Sequence, residues 1–226
     1  MRTIGLLGGM SWESTALYYR VANELVRERE GGLASASLLV RSLDFREVRV
    51  LQLEDRWDDA SALLLQEGRA LAAAGAELVL LCTNYMHKAA APLETGLPVP
   101  FLHIADAVAA SAPCSTIGLL GTAATMGEGF YRERLAQQGL TVLVPPDEDC
   151  ALVDRAIFDE LCRGVLSEGT RDQLRRVVGD LASRGAGAVA LCCTELELLL
   201  RPEDSPVPLL PSARLHATAA VDAALG

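Results

Sequence analysis

The sequence predicts an α/β protein of two similar parallel-sheet domains related by duplication. Three observations support this prediction. Short apolar runs alternate with helical patterns, which indicates a parallel sheet covered by helices. The pentapeptide IGLLG occurs at residues 4–8 and again at 117–121. GAELVLLCTN at 75–84 is echoed by GAGAVALCCTE at 185–195, in the same order and at nearly the same spacing, which indicates an internal repeat.

The apolar pattern of the first repeat defines its elements in order. We predict strands over residues 3–8, 35–43, 76–82 and 99–106, helices over 14–30 and 58–75, and a short helix opened by MHKAAAPLE. The first helix begins at a Ser/Thr pair and the second is closed by Gly75, both common helix boundaries.

A small-residue stretch at 105–116 precedes the second IGLLG and marks the predicted domain boundary. The N-terminal domain is expected over 1–107 and the second domain over 108–207. The first half lacks a counterpart of the C-terminal helix at 208–226, so we expect this helix to pack back on the first domain. Ligands of such sheets bind beyond the carboxyl ends of the strands, and we expect the active site in a cleft between the domains.

Composition excludes several classes of function. Half of the 226 residues are hydrophobic, and the net charge of −10 argues against nucleic-acid or anionic-membrane binding. No apolar run is long enough for a membrane span or a signal-peptide core. We therefore expect a cytoplasmic protein with reduced thiols.

The six cysteines include no CxxC pair and no zinc-finger spacing, so we predict neither a disulfide nor a metal site. Cys114, Cys150 and Cys162 have no repeat counterparts and are interpreted as incidental. Buried hydrophobic packing is the common role of a free cysteine.

A Cys-Thr step follows the apolar strand in each repeat, as Cys82-Thr83-Asn84 and as Cys193-Thr194-Glu195. A thiol between a strand end and a helix N-terminus is stabilised as a thiolate by the helix dipole. A matched pair of thiols can remove a proton from one face of a carbon and return it to the other.

The turns after each IGLLG contain Ser11 and Thr122 and are rich in small residues, so their N–H groups and hydroxyls can hold a substrate carboxylate. Neither turn matches a dinucleotide or P-loop fingerprint. No lysine has a setting typical of pyridoxal phosphate, and we expect no cofactor.

The segments GLLGGMSWESTALYY, LVLLCTNYMHK, PFLHIADA, GLLGTAATM…FYRERL and LCCTELELL resemble the aspartate/glutamate racemase superfamily, nearest its broad-specificity amino-acid racemase branch. The resemblance runs from Ile4 to the C-terminus. It implies a pyridoxal-phosphate-independent, homodimeric racemase with two cysteines as alternating base and acid. Cys82 matches the first catalytic cysteine. Cys193 matches the second, and Cys192 stands where the family has Gly.

The resemblance also implies substrate contacts by residues within these motifs: Met10, Ser11, Thr83, Asn84, Thr122, Thr194 and Glu195. Gln52 matches a side-chain-sensing position where strict aspartate racemases carry Arg, which favours a neutral or broad substrate. Arg163 falls near a basic position of acidic-substrate enzymes and leaves aspartate or glutamate open. Its alternative interpretation is a solvated helix-end charge.

Several alternatives stay open. The same fold can carry a cis–trans isomerase or decarboxylase of small carboxylic acids, and a two-lobed non-enzymatic sensor would also explain the duplication. His87 either orients the thiol of Cys82 or is a helix-surface or packing histidine. His103 and His216 are interpreted as structural, and Trp12 and Trp57 as lining the domain edge.

A gapless alignment of the repeats pairs Cys82 with Cys192, whereas alignment on the Cys-Thr step pairs it with Cys193. Successive strand residues point to opposite faces, so only one thiol of the pair should reach the substrate. We predict that this thiol is Cys193 and that Cys192 packs the other way.

Overall fold

The computed structural model describes residues 1–226. It contains two four-stranded sheets, and all strand pairings are parallel. The strands are β1 (Ile4–Gly8), β2 (Leu38–Ser42), β3 (Leu78–Leu81), β4 (Phe101–Leu102), β5 (Thr116–Leu120), β6 (Thr141–Leu143), β7 (Ala188–Leu191) and β8 (Leu209–Pro211). Their spatial orders are β2-β1-β3-β4 and β6-β5-β7-β8. The predicted fold class of duplicated parallel-sheet α/β domains is confirmed.

The helices cover the sheets and connect their strands. They are α1 (Trp12–Glu30), α2 (Phe45–Leu53), α3 (Trp57–Ala73), α4 (Ala91–Gly96), α5 (Ile104–Ala110), α6 (Ala123–Gly127), α7 (Gly129–Gln137), α8 (Asp147–Arg155), α9 (Glu168–Ser183), α10 (Leu196–Leu199) and α11 (Ser212–Leu225). Short 3-10 turns lie at Tyr85–Ala89, Leu161–Arg163 and Pro202–Asp204, and a π-helical turn lies at Ala156–Glu160. None of the helices is long and apolar enough to cross a bilayer.

The central strands are buried throughout, apart from Thr116 at the start of β5, whereas the edge strands are only partly buried. This difference explains why the central strands are continuous apolar runs. In the sheet registers, Leu7 pairs with Leu81 and Leu120 pairs with Leu191. Because IGLLG forms the first strand of each sheet, the two registers place the repeats in equivalent positions.

The chain divides into two compact units, and each unit contains one helix that follows the last strand of the other unit. Unit 1 comprises residues 1–104 and 213–226, and unit 2 comprises residues 105–212, compared with predicted boundaries at 107/108 and 207/208. Unit 1 therefore contains α11 apart from its first residue, and unit 2 contains α5 apart from its first residue. The expectation that the first half lacks a counterpart of the C-terminal helix is wrong, because α5 follows β4 as α11 follows β8.

Unit 1 has a hydrophobic cluster on each face of its sheet. One cluster packs Leu78 and Leu80 against Tyr18 of α1 and Val221 of α11. The other packs residues such as Leu81 on the opposite face, with contributions from α3 and α4. Alternate residues of β3 thus enter different clusters, as the strand period requires.

The hydrophobic cluster of unit 2 draws most on α9, with further residues from β7 and α10. Val189 and Leu191 of β7 enter this cluster and pack with Val177 and Leu181 of α9. Ala188 and Ala190 are buried on the opposite face of the same strand. This alternation places the side chain of Cys192, whose N–H still bonds to β5, on the same face as Ala188 and Ala190.

The segment between the first two helices differs from the prediction. The strand predicted over 35–43 is shorter, and the helix α2 after it was not predicted. Asp44 caps α2 by accepting a hydrogen bond from the Arg46 N–H at 2.8 Å, and only Val48 of this helix is buried. Phe45, Val48 and Leu51 recur at helical spacing, but the helix has only nine residues, and periodicity over so short a segment does not clearly distinguish a helix from a strand.

The turn after β1 requires glycine at position 9. Gly9 has a φ of +91°, and a Cβ there would lie 2.2 Å from the carbonyl oxygen of Leu43. The Gly9 N–H donates to the Thr15 hydroxyl at 2.8 Å, and that hydroxyl donates to the Ser11 carbonyl at 3.0 Å. These bonds fix the turn against the start of α1.

Candidate active site

Cys82 lies directly beyond the carboxyl end of β3. Its N–H donates to the Leu7 carbonyl at 2.8 Å, so the residue still belongs to the sheet hydrogen-bond ladder. Strand alternation directs its side chain into the cluster that contains Tyr18 and Ala213. The residue is fully buried, and burial raises the pKa of its thiol.

Cys192 holds the backbone position in unit 2 that Cys82 holds in unit 1. Its N–H donates to the Leu120 carbonyl at 2.7 Å, the counterpart of the bond from Cys82 to Leu7. The sheet register therefore pairs Cys82 with Cys192, whereas the Cys-Thr step pairs it with Cys193. Cys192 is buried, and burial raises its pKa to about 12, although hydrogen bonds from Tyr131 and Ser212 oppose the shift.

Cys193 is partly buried and lies against the other face of unit 2, where it packs on the main hydrophobic cluster. Its Sγ donates to Glu195 Oε2 at 2.9 Å, and the Thr194 hydroxyl donates to the same oxygen at 2.8 Å. Three of the predicted site residues thus share one hydrogen-bonded group. Burial raises the pKa of Cys193 well above its usual value, and the Glu195 carboxylate raises it further.

The predicted lowering of the thiol pKa values by helix dipoles is wrong. Cys82 is followed by a 3-10 turn of five residues, and Cys193 by a helix of four residues. Such short elements develop little dipole. Burial is the dominant effect on both thiols, so both are neutral near pH 7 in the absence of a ligand.

In unit 1, Ser11 and Met10 lie at the start of α1. The Ser11 hydroxyl caps α1 by accepting from the Ser14 N–H at 3.3 Å, and Met10 is buried in the cluster on the α3 side of the sheet. Asn84 is also buried, and its carbonyl accepts from the His87 N–H at 3.1 Å. These residues surround the carboxyl ends of β1 and β3.

Gln52 is held through both ends of its side-chain amide. Its nitrogen lies 2.8 Å from the sulfur of Met86, and its oxygen accepts from Arg49 Nη1 at 2.9 Å. Met86 and Met10 belong to the same hydrophobic cluster, so α2 is tied to the segment that follows Cys82. A guanidinium group thus lies beside the amide at this position.

In unit 2, Thr122 and Arg163 have different surroundings. The Thr122 hydroxyl caps α6 by accepting from the Thr125 N–H at 3.3 Å. Arg163 is exposed and lies 3.6 Å from Asp159, an arrangement typical of a solvated ion pair. Cys162, interpreted as incidental from the sequence, lies near enough to Cys193 to raise its pKa.

His87 is buried, so the interpretation as a surface histidine is wrong. Its Nδ1 lies 2.7 Å from the Thr83 carbonyl oxygen, and its Nε2 lies 3.2 Å from the Ile104 nitrogen. The His103 ring centroid is 4.5 Å away. Burial lowers the pKa of His87 well below its usual value, and the neighbouring histidines act in the same direction. In the sequence, the only signal of a contact between His87 and the Cys82 segment is the spacing of five residues between His87 and Cys82.

No group of three histidine, cysteine, aspartate or glutamate side chains is arranged to hold a metal ion. The carboxylate that approaches a thiol, Glu195, is already shared by Cys193 and Thr194. The chemistry available at these positions is therefore that of thiols, hydroxyls and one carboxylate.

Comparison with known proteins gives a consistent result. Residues 7–220 match the family model for Asp/Glu/hydantoin racemases. A candidate Asp/Glu racemase from Yersinia pestis is 44% identical, with a TM-score of 0.96 over 100% of both chains. An aspartate racemase homologue from Pyrococcus horikoshii is 33% identical, with a TM-score of 0.90 over 100% of both chains. The aspartate racemase of Picrophilus torridus is 16% identical and shares the fold, with a TM-score of 0.74 over 99% of this chain and 94% of the other.

Proposed function

We propose that this chain, an isomerase that belongs to the Asp/Glu/hydantoin racemase family, racemises amino acids by a two-base proton transfer that needs no cofactor. The observation that carries the proposal is the position of the thiols. Each unit ends a central strand of its sheet in a cysteine motif, with Cys82 after β3 and Cys192-Cys193 after β7. Strand ends of this kind are where parallel α/β sheets bind ligands.

In the proposed reaction, a thiolate takes the α-proton from one face of the amino acid. The electron pair of the broken C–H bond moves towards the carboxylate and forms an enolate-like intermediate. The second thiol then donates its proton to the opposite face, and the electron pair returns to the new C–H bond. One thiol and one thiolate are present before and after turnover, with their roles exchanged, so no oxidant or co-reactant is required.

Cys82 and Cys193 are the proposed acid/base pair. Cys193 is favoured over Cys192 because it is only partly buried and donates to Glu195. Cys192 instead is buried inside unit 2, where its sulfur is hydrogen-bonded by Tyr131 and Ser212.

The proposed substrate is broad, or aspartate and glutamate. Gln52 favours a neutral side chain, but the Arg49 guanidinium that donates to its amide oxygen can supply a positive charge for an acidic one. Arg163, with its exposed side chain, can do the same only by leaving Asp159. Substrate contacts are proposed for the remaining motif residues, namely Met10, Ser11, Thr83, Asn84, Thr122, Thr194 and Glu195.

The test is incubation of single-enantiomer amino acids in deuterium oxide, with α-deuterium followed by NMR and enantiomers by chiral chromatography. The panel contains aspartate, glutamate and neutral amino acids. We expect α-exchange and loss of optical purity together, because racemisation replaces the α-proton. We also propose that the chain forms a homodimer, and sedimentation equilibrium of the same sample tests this.

Three single alanine variants distinguish the thiols. Cys82→Ala and Cys193→Ala should abolish racemisation, whereas Cys192→Ala should retain it, which makes the last a matched control for loss of a neighbouring thiol. Undiminished exchange in the first two variants would refute the two-cysteine mechanism. Activity lost in Cys192→Ala but kept in Cys193→Ala would move the second base to the position that the sheet register favours. A product from maleate without α-exchange would instead support a cis–trans isomerase.

A further inference from the structure

All three histidines of the chain meet in unit 1, beside the segment that follows Cys82. His87 lies with its ring centroid 4.5 Å from that of His103 and 5.8 Å from that of His216. All three residues are buried. We call this group the histidine cluster.

The hydrogen bonds of His87 define its tautomer. The Ile104 N–H can only donate, so Nε2 of His87 accepts this bond and carries no proton. The neutral ring then has its proton on Nδ1, which donates to the Thr83 carbonyl at 2.7 Å. His87 is therefore a neutral bridge between two backbone groups and cannot act as a base towards a substrate.

The backbone bond of His87 acts on the residue next to the proposed catalytic thiol. Thr83 follows Cys82, and its N–H donates to the Leu81 carbonyl at 2.9 Å. The carbonyl of Thr83 accepts the hydrogen bond from His87. The N–H of His87 also donates to the Asn84 carbonyl. Cys82 is thus held between the ladder of the sheet and a turn closed by His87.

A second bridge supports the same region from the other side. The Tyr18 hydroxyl lies 2.8 Å from Nδ1 of His216, and Nε2 of His216 lies 2.8 Å from the Leu102 carbonyl oxygen. The carbonyl requires a proton on Nε2, so Nδ1 accepts from the tyrosine. This bridge anchors α1 and α11 to the end of β4.

We propose that His87 is a positioning residue for the segment Cys82–Asn84: by holding the Thr83 carbonyl through Nδ1–H, it fixes the backbone that follows β3 at the proposed substrate site. This role rests on the proposed function of Cys82 as an acid/base. Misplacement of a reacting group by about 1 Å can lower a rate by about 100-fold. A single hydrogen bond at the base of the thiol segment can therefore control the proton-transfer step.

Two amide substitutions separate the two bonds of His87. The Asn amide nitrogen occupies the place of Nδ1, so His87→Asn keeps the donor to Thr83 and loses the acceptor for Ile104. The Gln side chain reaches the place of Nε2, so His87→Gln keeps the acceptor and loses the donor. We expect His87→Gln to lower kcat by about 10- to 100-fold with KM little changed, and His87→Asn to stay within a few-fold of the parent.

The kinetic isotope effect on α-deuterated substrate distinguishes positioning from packing. In His87→Gln we expect it to increase for the enantiomer that Cys82 deprotonates and to stay constant for the other. His216→Gln is the control, because it alters a buried histidine of the same cluster whose hydrogen bonds join Tyr18 and Leu102 rather than Thr83. We expect it to lower the unfolding temperature while kcat and both isotope effects stay at the parent values.

Each remaining outcome has a defined meaning. Equal activity of parent and His87→Gln, or equal losses in both His87 variants with unchanged isotope effects, would refute the positioning role alone. Absence of α-exchange in the parent, or full exchange in Cys82→Ala, would refute the proposed function and this role with it. Nitrogen-15 NMR of the parent gives a readout that does not depend on activity, since a proton on Nε2 of His87 would overturn the bonding pattern.

Discussion

Protonation of His87 should make unit 1 sensitive to acid. Burial lowers the pKa of this histidine in the folded state, whereas in the unfolded chain it has its ordinary value of about 6.5. A group with a lowered folded pKa contributes stability above its unfolded pKa, and that stability is lost as the pH falls towards the folded pKa. The experiment therefore compares the pH dependence of stability in the parent with that in His87→Asn, which has no titrating ring at this position.

The magnitude follows from linkage. Between pH 7.5 and pH 5.5, proton uptake by one unfolded histidine of pKa 6.5 lowers the free energy of unfolding by about 1.4 kcal/mol when the folded ring stays neutral. The parent should lose this amount in addition to any loss shared with the variant. The difference in stability between parent and His87→Asn should therefore shrink by about 1.4 kcal/mol over this range.

Urea unfolding followed by tryptophan fluorescence measures the effect, because Trp12 and Trp57 are the only tryptophans and both belong to unit 1. Leu93→Ala serves as the control, since it removes a fully buried, non-titrating side chain from unit 1 at a cost of about 2–5 kcal/mol. Its pH dependence should run parallel to that of the parent. Parallel curves for His87→Asn as well would refute a neutral buried His87.

Three further predictions concern the thiols and the turns. Because the pKa values of Cys82 and Cys193 are raised, kcat/KM should increase about tenfold per pH unit from pH 6.5 to 8.5, and a flat profile would contradict neutral resting thiols. Burial raises the pKa of Cys192 to about 12, so its contribution to stability is complete below pH 9. As the pH rises further, the free energy of unfolding should fall by about 1.4 kcal/mol per pH unit. Unfolding followed by circular dichroism should show that Cys192→Ala lacks this part of the loss. Gly9→Ala should unfold unit 1, because the new Cβ meets backbone, whereas Gly185→Ala, with a φ of +102° and no atom within 4 Å, should cost only about 1–2 kcal/mol in thermal unfolding.

The sheets could be predicted from the sequence because a buried parallel strand needs a continuous apolar run. IGLLG and its repeat supplied that signal twice, and the register of Leu7 with Leu81 and of Leu120 with Leu191 follows the same repeat. Helix α2 was missed although Phe45, Val48 and Leu51 recur at helical spacing, because nine residues are too few for periodicity to separate a helix from a strand. Its Asp44 cap is the remaining signal in the sequence.

The candidate site could be predicted as a set of residues but not as an electrostatic environment. The Cys-Thr step identified Cys82, and the group of Cys193, Thr194 and Glu195 is hydrogen-bonded in the structure. The direction of the thiol pKa shifts depends on burial, which comes from elements distant in the sequence. The contacts of His87 depend on Ile104 for the same reason, and no local pattern encodes them.

The origin of α11 has a consequence for the order in which the protein is made. Domains commonly fold in the order of synthesis, N-terminal first. Here the cluster on one face of unit 1 needs Ala217 and Val221, which leave the ribosome after the whole of unit 2. Until α11 is made, Tyr18 and Leu80 of the nascent N-terminal half lack the residues of α11 that bury them. The chain is therefore most vulnerable to aggregation and proteolysis during the synthesis of its second half.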